Sequence, residues 1–356
     1  MTNDRHSFYV SGYGKASEEA ICLAELAADG TLRKMKGFTG AAQPSYLALH
    51  EMQGERFLYT FEKDPPDGAV LAYRVFPDRL ELLSRYKADF LGPCHVSVSE
   101  RGDFVYFASY GKGTVAVFRI NEDGGLAFSS MVRHEGRGAH PLRQDRPHPH
   151  FAAERDRQLF VVDLGLDEVF VYNIDRESGE LSPSGEDIVF PAGTGPRHLV
   201  FDKMHRDRLY VLSELTAEVF FCEKGASGWE IRQAVSAVPG MESDQALMVP
   251  QTADVLSIGA AIKMSEDGRY IFATCRLGYQ TVSAFRLGED GGLHFCDAVR
   301  TGGITPRDIE VVGDTVIAAH QDSDLVTAVL FDRASERFGG VVSSLALPSP
   351  TCVVSV

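Results

Sequence analysis

The chain has 356 residues, 44% of them hydrophobic and 24% charged, a balance that supports a globular core. Its formal net charge of −15 opposes the attraction by which Lys and Arg hold nucleic acid or anionic lipid, so neither is expected as a partner. No apolar run is long enough to span a bilayer, the start MTNDRHSFYV does not read as a secretory leader, and six scattered cysteines without a CxxC pair fit a reduced, cytoplasmic chain.

From the amino terminus, SFYVSGYG is rich in aromatic residues, and AICLAEL alternates apolar and polar residues as a half-buried strand does. Next comes QPSYLAL, which opens on a small polar turn and then runs apolar, followed by a second aromatic segment, RFLYTFEK, and a second alternating one, AVLAYRV. The same order recurs in GPCHVSVS, DFVYFASY and TVAVFRI, then in PHPHFAAE, QLFVVDLG and EVFVYNI, and again in GPRHLVFD, RLYVLSEL and EVFFCEK. Two further rounds are GAAIKMS, RYIFATCR and TVSAFRL, and TPRDIEVV, DTVIAAHQ and LVTAVLF. Turns such as NEDGG, RESGE and GEDGG lead from alternating segments into more polar stretches suited to solvent-facing edge strands. The chain ends on SPTCVVSV, an opening segment with nothing behind it, which brings the copies to seven.

A period of about 50 residues is in the propeller range and too long for ankyrin or leucine-rich units. Each four-stranded sheet exposes faces it cannot bury alone, so neighbouring sheets must stack around a channel. The expected fold is all-β: a seven-bladed β-propeller with four-stranded antiparallel blades, one domain over residues 1–356. The unmatched opening segment at the carboxyl terminus must join the amino-terminal strands in a single blade, which covers two exposed edges.

Two opening strands are preceded by extra residues, MVRHEGRGAHPLRQDRPHPH before the third copy and SAVPGMESDQALMVPQTADVLSIG before the fifth. Long loops in compact domains are often functional, although a tolerated surface insertion is the plain alternative. In an antiparallel blade the start of the first strand and the end of the second lie at one rim, nearest the axis. Unusual polar residues gather there: His95, His148, His150, Arg197, His198 and Arg307 at openings, and Asp163, Glu214, Arg276, His320 and Gln321 at second-strand ends. A polar mouth under two loops is the default ligand site.

At these segments the sequence resembles the seven-bladed lactonase family, which includes bacterial 6-phosphogluconolactonases and fungal 3-carboxy-cis,cis-muconate cyclases. The resemblance rests on PHPHF with LFVVDLGLDEVFVYNID, GTGPRHLVFD with RLYVLSELTAEV, AAIKMSEDGRYIFATCRLGYQTVSAFRL, and TPRDIEV, and it spans essentially the whole chain. It implies a His of the PHPH segment, Arg197, Glu214 and Arg276 as site residues. The family usually has a Ser-Asn-Arg-Gly run with His-Asp behind it, where this chain has Thr274, Cys275, Arg276, Leu277, Gly278, Tyr279 and Gln280.

Each candidate has a structural alternative. The register leaves open whether His150 or His148 takes the Arg197 place, and either imidazole could simply hydrogen-bond in a Pro-flanked turn. Arg197 could bind carbonyls at a strand end, and Glu214 could form a structural ion pair with Arg197 and Arg276. Arg276 could snorkel, Asp163 could cap a turn, and Arg307 could be only what the repeat places there.

Together these residues give the expected function: a metal-independent hydrolase of an anionic sugar lactone, most of all 6-phosphogluconolactone, needing no cofactor and acting as a monomer or weak homodimer. His150, Arg197, Glu214 and Arg276 are the catalytic candidates, and His148, Asp163 and Arg307 the substrate-binding ones. The rim does not supply the Glu, Asn and Asp cluster with which six-bladed lactonases hold a divalent cation. A carboxy-muconate cyclase is the enzymatic alternative. A non-catalytic propeller that binds ligands or proteins is the other, although a single tryptophan, Trp229, speaks against the Trp-Asp repeat type.

Overall fold

The computed structural model describes residues 5–63, 68–242 and 258–356, and every regular element in it is a β-strand. The strands form seven sheets, each a blade whose strands follow one another in sequence. Numbered by their opening segments, blades 1 to 6 span residues 48–87, 95–133, 149–189, 196–236, 259–300 and 306–346. Blade 7 places Pro350–Ser355 beside His6–Gly12, followed by Ile21–Leu26 and Leu32–Phe38, so the two ends of the chain share a sheet as the lone opening segment requires. The chain is a seven-bladed β-propeller. By contact its described residues divide into two compact units, one drawn from 1–10, 23–35 and 193–356 and the other from 11–22 and 36–192.

The aromatic segments are second strands, and burial on both faces explains why they lack alternation. In blade 2 every residue of Phe104–Ser109 is buried, and so is every residue of Tyr270–Cys275 in blade 5. Their side chains fill the space between adjacent blades. Tyr106 and Val117 pack with Val161 and Tyr172, while Tyr210 and Phe221 pack with Ile271 and Phe285. Fourth strands such as Leu80–Lys87 are mostly exposed or half-buried, which accounts for their polar composition. Blade 3 departs from the expected pattern, because its fourth strand is broken into Leu181–Pro183 and Ile188–Val189. Between them the Asp187 carboxylate accepts the Val171 N–H at 2.7 Å, so a side chain takes over part of the ladder.

In blades 3, 4 and 6 the first strand opens on Pro followed by a bulge. Pro149 pairs with Asp163, Pro196 with Ser213 and Pro306 with His320, and in each case the next residue is skipped before pairing resumes. Proline brings no N–H to the ladder, and the extra residue that a bulge inserts re-aims its side chain. A hydrogen bond seals each opening: Leu164 N–H donates to His148 O (3.1 Å), Glu214 to Gly195 O (2.7 Å) and Gln321 to Thr305 O (3.0 Å). In blade 5, which has Gly259 where the others have Pro, Arg276 N–H donates to Ile258 O at 2.7 Å. These bonds align His150, Arg197, Ala260 and Arg307 as equivalent residues, and likewise Leu164, Glu214, Arg276 and Gln321. His150, not His148, therefore takes the Arg197 place.

The terminal strand is held by one fully buried carboxylate. Asp308 Oδ2 accepts the Val353 N–H at 3.0 Å, while Oδ1 is buried with no hydrogen-bond partner among the described residues. Burial raises the Asp308 pKa above its ordinary 3.8, and Lys263, whose ammonium lies 3.4 Å from Glu310, only partly opposes that rise. The folded chain thus binds this proton more tightly than the unfolded chain does. The stability Asp308 contributes is full below the ordinary carboxylate range and is lost as pH rises through the shifted value. Urea denaturation across that range should show this decline in the wild type and a flatter profile in Asp308→Asn. Identical slopes would remove Asp308 as its source.

Candidate active site

Arg197 sits on the bulge of blade 4 and is only 2% exposed despite its length. Its Nε donates to Glu214 Oε2 at 2.8 Å, and its Nη1 donates to the carbonyl of Ala260 and to His198 Nε2, the latter at 3.0 Å. A guanidinium has no acceptor, so His198 Nε2 must carry a lone pair and that imidazole is neutral with its proton on Nδ1. Glu214 is also 2% exposed, and the same Oε2 meets Arg276 Nη2 at 3.0 Å. Arg276 Nη2 lies 2.9 Å from Gly259 O as well. One carboxylate therefore orients two guanidiniums, one from blade 4 and one from blade 5.

Backbone chemistry fixes this trio. Gly195 has φ +61°, and a Cβ there would drive into Leu215. Glycine adopts this left-handed conformation without strain and lets the Gly195 carbonyl reach the Glu214 N–H. Gly259 has a different reason: any Cβ would collide with the carbonyl of Ser213. That close approach lets the Glu214 carbonyl accept N–H groups from both Ile258 (2.8 Å) and Gly259 (3.0 Å). Arg276 follows the wholly buried strand Tyr270–Cys275 and begins a turn in which Leu277 and Gln280 both have positive φ. Most of the fifth-copy insertion, residues 243–257, lies outside the described residues.

The remaining arginine candidate, Arg307, lies on the bulge of blade 6 and is half-buried, with Nη1 donating to Gln321 Oε1 at 2.8 Å. His320, the residue before Gln321, is fully buried, and its Nε2 lies 2.9 Å from Thr327 Oγ1. Burial lowers its pKa to about 4, so it stays neutral near pH 7.

The three remaining candidates belong to the other unit. His148 is stacked on Tyr110, with ring centroids 4.1 Å apart, and its ring nitrogens face Tyr110 O (3.0 Å) and Asp145 Oδ1 (3.2 Å). The hydrogen bond from His148 is the main cause holding the Asp145 carboxyl below its ordinary pKa. Asp163 is fully buried, and three donors converge on it: His134 Nδ1 at 2.6 Å, His148 N–H at 2.7 Å and Gly165 N–H at 2.9 Å. His150 is buried on the bulge of blade 3, with Tyr110 meeting its ring edge-on at 5.7 Å. The third-copy insertion is organised around Gln144, also fully buried, whose amide donates to Leu164 O (2.9 Å) and Asp167 Oδ1 (2.6 Å). A cavity of about 300 Å³ is lined by Lys112, Arg133, His134, Arg146 and Pro147. Sequence reasoning missed His134 and Gln144. The one available signal was Asp163 itself, since a carboxylate ending an apolar strand demands donors.

Among the described residues, no group of three or more His, Cys, Asp or Glu side chains is arranged to hold a metal ion, and the six cysteines form no disulfide. No helix among them is long and apolar enough to cross a membrane.

Seven sheets of this order, carrying a buried Arg–Glu–Arg trio drawn from two successive blades, are accompanied by a match of residues 7–355 to the family described as lactonase, 7-bladed β-propeller. The chain belongs to the seven-bladed β-propeller lactonase family. It is 33% identical over 358 residues to the 6-phosphogluconolactonase of Bacillus subtilis (strain 168), with 97% of each chain covered. Among solved structures it resembles the periplasmic gluconolactonase of Pseudomonas aeruginosa, with a TM-score of 0.86, 25% identity and 99% of each chain covered. It also resembles a protein from Lactobacillus plantarum, with a TM-score of 0.87 and 27% identity over 99% of this chain and 100% of the other.

Proposed function

We propose that the chain is a lactonase acting on an anionic sugar lactone, foremost 6-phosphogluconolactone. The observation that carries this reading is the buried trio of Arg197, Glu214 and Arg276, two guanidiniums aimed by one carboxylate. The 6-phosphogluconolactonase that is 33% identical over nearly the whole length supports it.

Lactone hydrolysis needs a base for the attacking water and donors for the oxygen that becomes negative. In this reading water adds to the carbonyl carbon while its proton passes to a base, the carbonyl oxygen takes the electron pair, and guanidinium N–H groups stabilise that oxyanion. The intermediate then collapses, the ring oxygen leaves with a proton returned to it, and the open-chain acid is released. A carboxylate that already accepts from two guanidiniums is a weak base, so Glu214 serves to orient. Imidazole titrates near neutral pH without help and suits the base. Two guanidiniums repel a cation, and the chain's own donors do the work a Lewis acid would do.

The test is turnover of 6-phosphogluconolactone by pure protein, corrected for spontaneous hydrolysis, as a function of pH. The enzyme-dependent rate should fall on the acid side with an apparent pKa belonging to the coupled groups, and EDTA should leave it unchanged. His150→Ala should abolish that acid limb. If the protein adds nothing to the spontaneous rate yet still binds anions, the lactonase reading gives way to that of a binding propeller.

A further inference from the structure

In a chain of net charge −15, the cavity of about 300 Å³ beside the third-copy insertion has Lys112, Arg133 and Arg146 in its lining and no carboxylate. The three cations reach it from separate segments. Lys112 lies on the turn after the second strand of blade 2, Arg133 ends the fourth strand of that blade, and Arg146 belongs to the insertion that precedes blade 3. Repulsion between like charges opposes such a gathering, so the backbone must enforce it. Gly113 has φ +64°, and a Cβ there would lie 3.3 Å from Pro147, so a glycine brings the turn that carries Lys112 close to the insertion. The Gly113 carbonyl accepts the His134 N–H at 2.9 Å, and the Lys112 carbonyl accepts from Arg133 Nη1 at 2.9 Å, which ties the end of the fourth strand to the same turn.

The neighbouring carboxylates are engaged elsewhere. Asp163 accepts from His134 Nδ1 and two backbone N–H groups, and Asp145 divides its oxygens between Arg146 Nε at 3.3 Å and His148 Nε2 at 3.2 Å. Arg133 is held by a neutral carbonyl, and neither it nor Lys112 forms an ion pair among the described residues. Lys112 is half-buried while Arg133 and Arg146 are exposed, so all three can reach a molecule that enters the cavity. The volume is at the lower end of small-molecule sites, which span about 300–1,000 Å³. A phosphate monoester carries about −1.5 to −2 charge and three strong acceptor oxygens, against the single charge of a carboxylate, and guanidinium forks match its geometry.

We infer that this cavity is a phosphate-binding site, in which Lys112, Arg133 and Arg146 hold the phosphate of a small molecule. Arg133 is already aimed by the Lys112 carbonyl, and Arg146 by Asp145, so little ordering remains to be done when the ligand arrives.

The experiment is calorimetric titration of the full chain with inorganic phosphate, 6-phosphogluconate and gluconate, in the wild type, Lys112→Ala, Arg133→Ala and Lys36→Ala. The last removes the same charge from an exposed position on the fourth strand of blade 7 and serves as a control. The wild type and Lys36→Ala should bind the two phosphate-bearing ligands and bind gluconate far more weakly. Lys112→Ala and Arg133→Ala should each weaken the phosphate-bearing ligands roughly tenfold, the cost of one charge-assisted contact, and leave gluconate unchanged. Tighter binding of 6-phosphogluconate than of inorganic phosphate would identify a phosphorylated sugar acid as the ligand, and equal binding would identify phosphate itself. The inference is overturned if the wild type binds neither phosphate-bearing ligand, if Lys112→Ala and Arg133→Ala bind them as tightly as the wild type does, or if Lys36→Ala weakens them equally. Binding is read without turnover, so each of these outcomes stands whether or not the protein hydrolyses a lactone.

Discussion

Turnover of an anionic lactone should fall roughly 100- to 1,000-fold in Arg197→Ala, the usual cost of removing one donor to a developing oxyanion. The loss should appear in kcat more than in KM, because an oxyanion contact is made most strongly in the transition state. Stability should fall by less than that rate loss suggests. Without Arg197, Glu214 still has Arg276 Nη2 at 3.0 Å, so a buried carboxylate keeps a cation. Steady-state rates and a denaturation curve on the same preparation check both halves. A mutant that melts far below the wild type yet turns over normally would make Arg197 purely structural.

Removing the carboxylate has the opposite balance. Glu214→Ala takes away the one group that both Arg197 and Arg276 share, leaving two guanidiniums close together in a site where water is scarce. Breaking a buried ion pair from one side costs about 3–5 kcal/mol, and two cations are affected here. We expect Glu214→Ala to be the most destabilising single change among these three residues, measured as a shift in urea midpoint at constant m-value. Activity should be lost as well, since neither guanidinium keeps its aim. If Glu214→Ala and Arg197→Ala destabilise equally, the sharing of one carboxylate is not what organises the site.

The sequence analysis reached the fold because each copy of the repeat carries its own evidence. The aromatic run in DFVYFASY marks the second strand of its copy, and the solitary SPTCVVSV could be placed only beside the amino-terminal strands. The same reading put Arg197, Glu214 and Arg276 at strand ends, and the structure brings these three together through Glu214. What stayed illegible was register. A bulge adds one residue to one strand of a pair, which no count of period reveals, so the alignment of His148 and His150 with Arg197 stays open until the bond from Leu164 N–H to His148 O fixes it. Contacts made by side chains across long stretches of sequence were also out of reach. His134 meets Asp163 across 29 positions, and Asp308 meets Val353 across 45, with no spacing rule to predict either.

The first strand of blade 7, Pro350–Ser355, is translated after every other strand of the propeller. The three strands it completes emerge before the other six blades and must wait while more than three hundred residues are synthesised behind them, which takes roughly 15 to 65 seconds at the usual rate of about 5–20 residues per second. During that interval His6–Gly12 offers a bare hydrogen-bonding edge to any passing strand. A ribosome that stalls late on this message therefore releases a product already rich in strands but open at one edge, a substrate for chaperones and proteases.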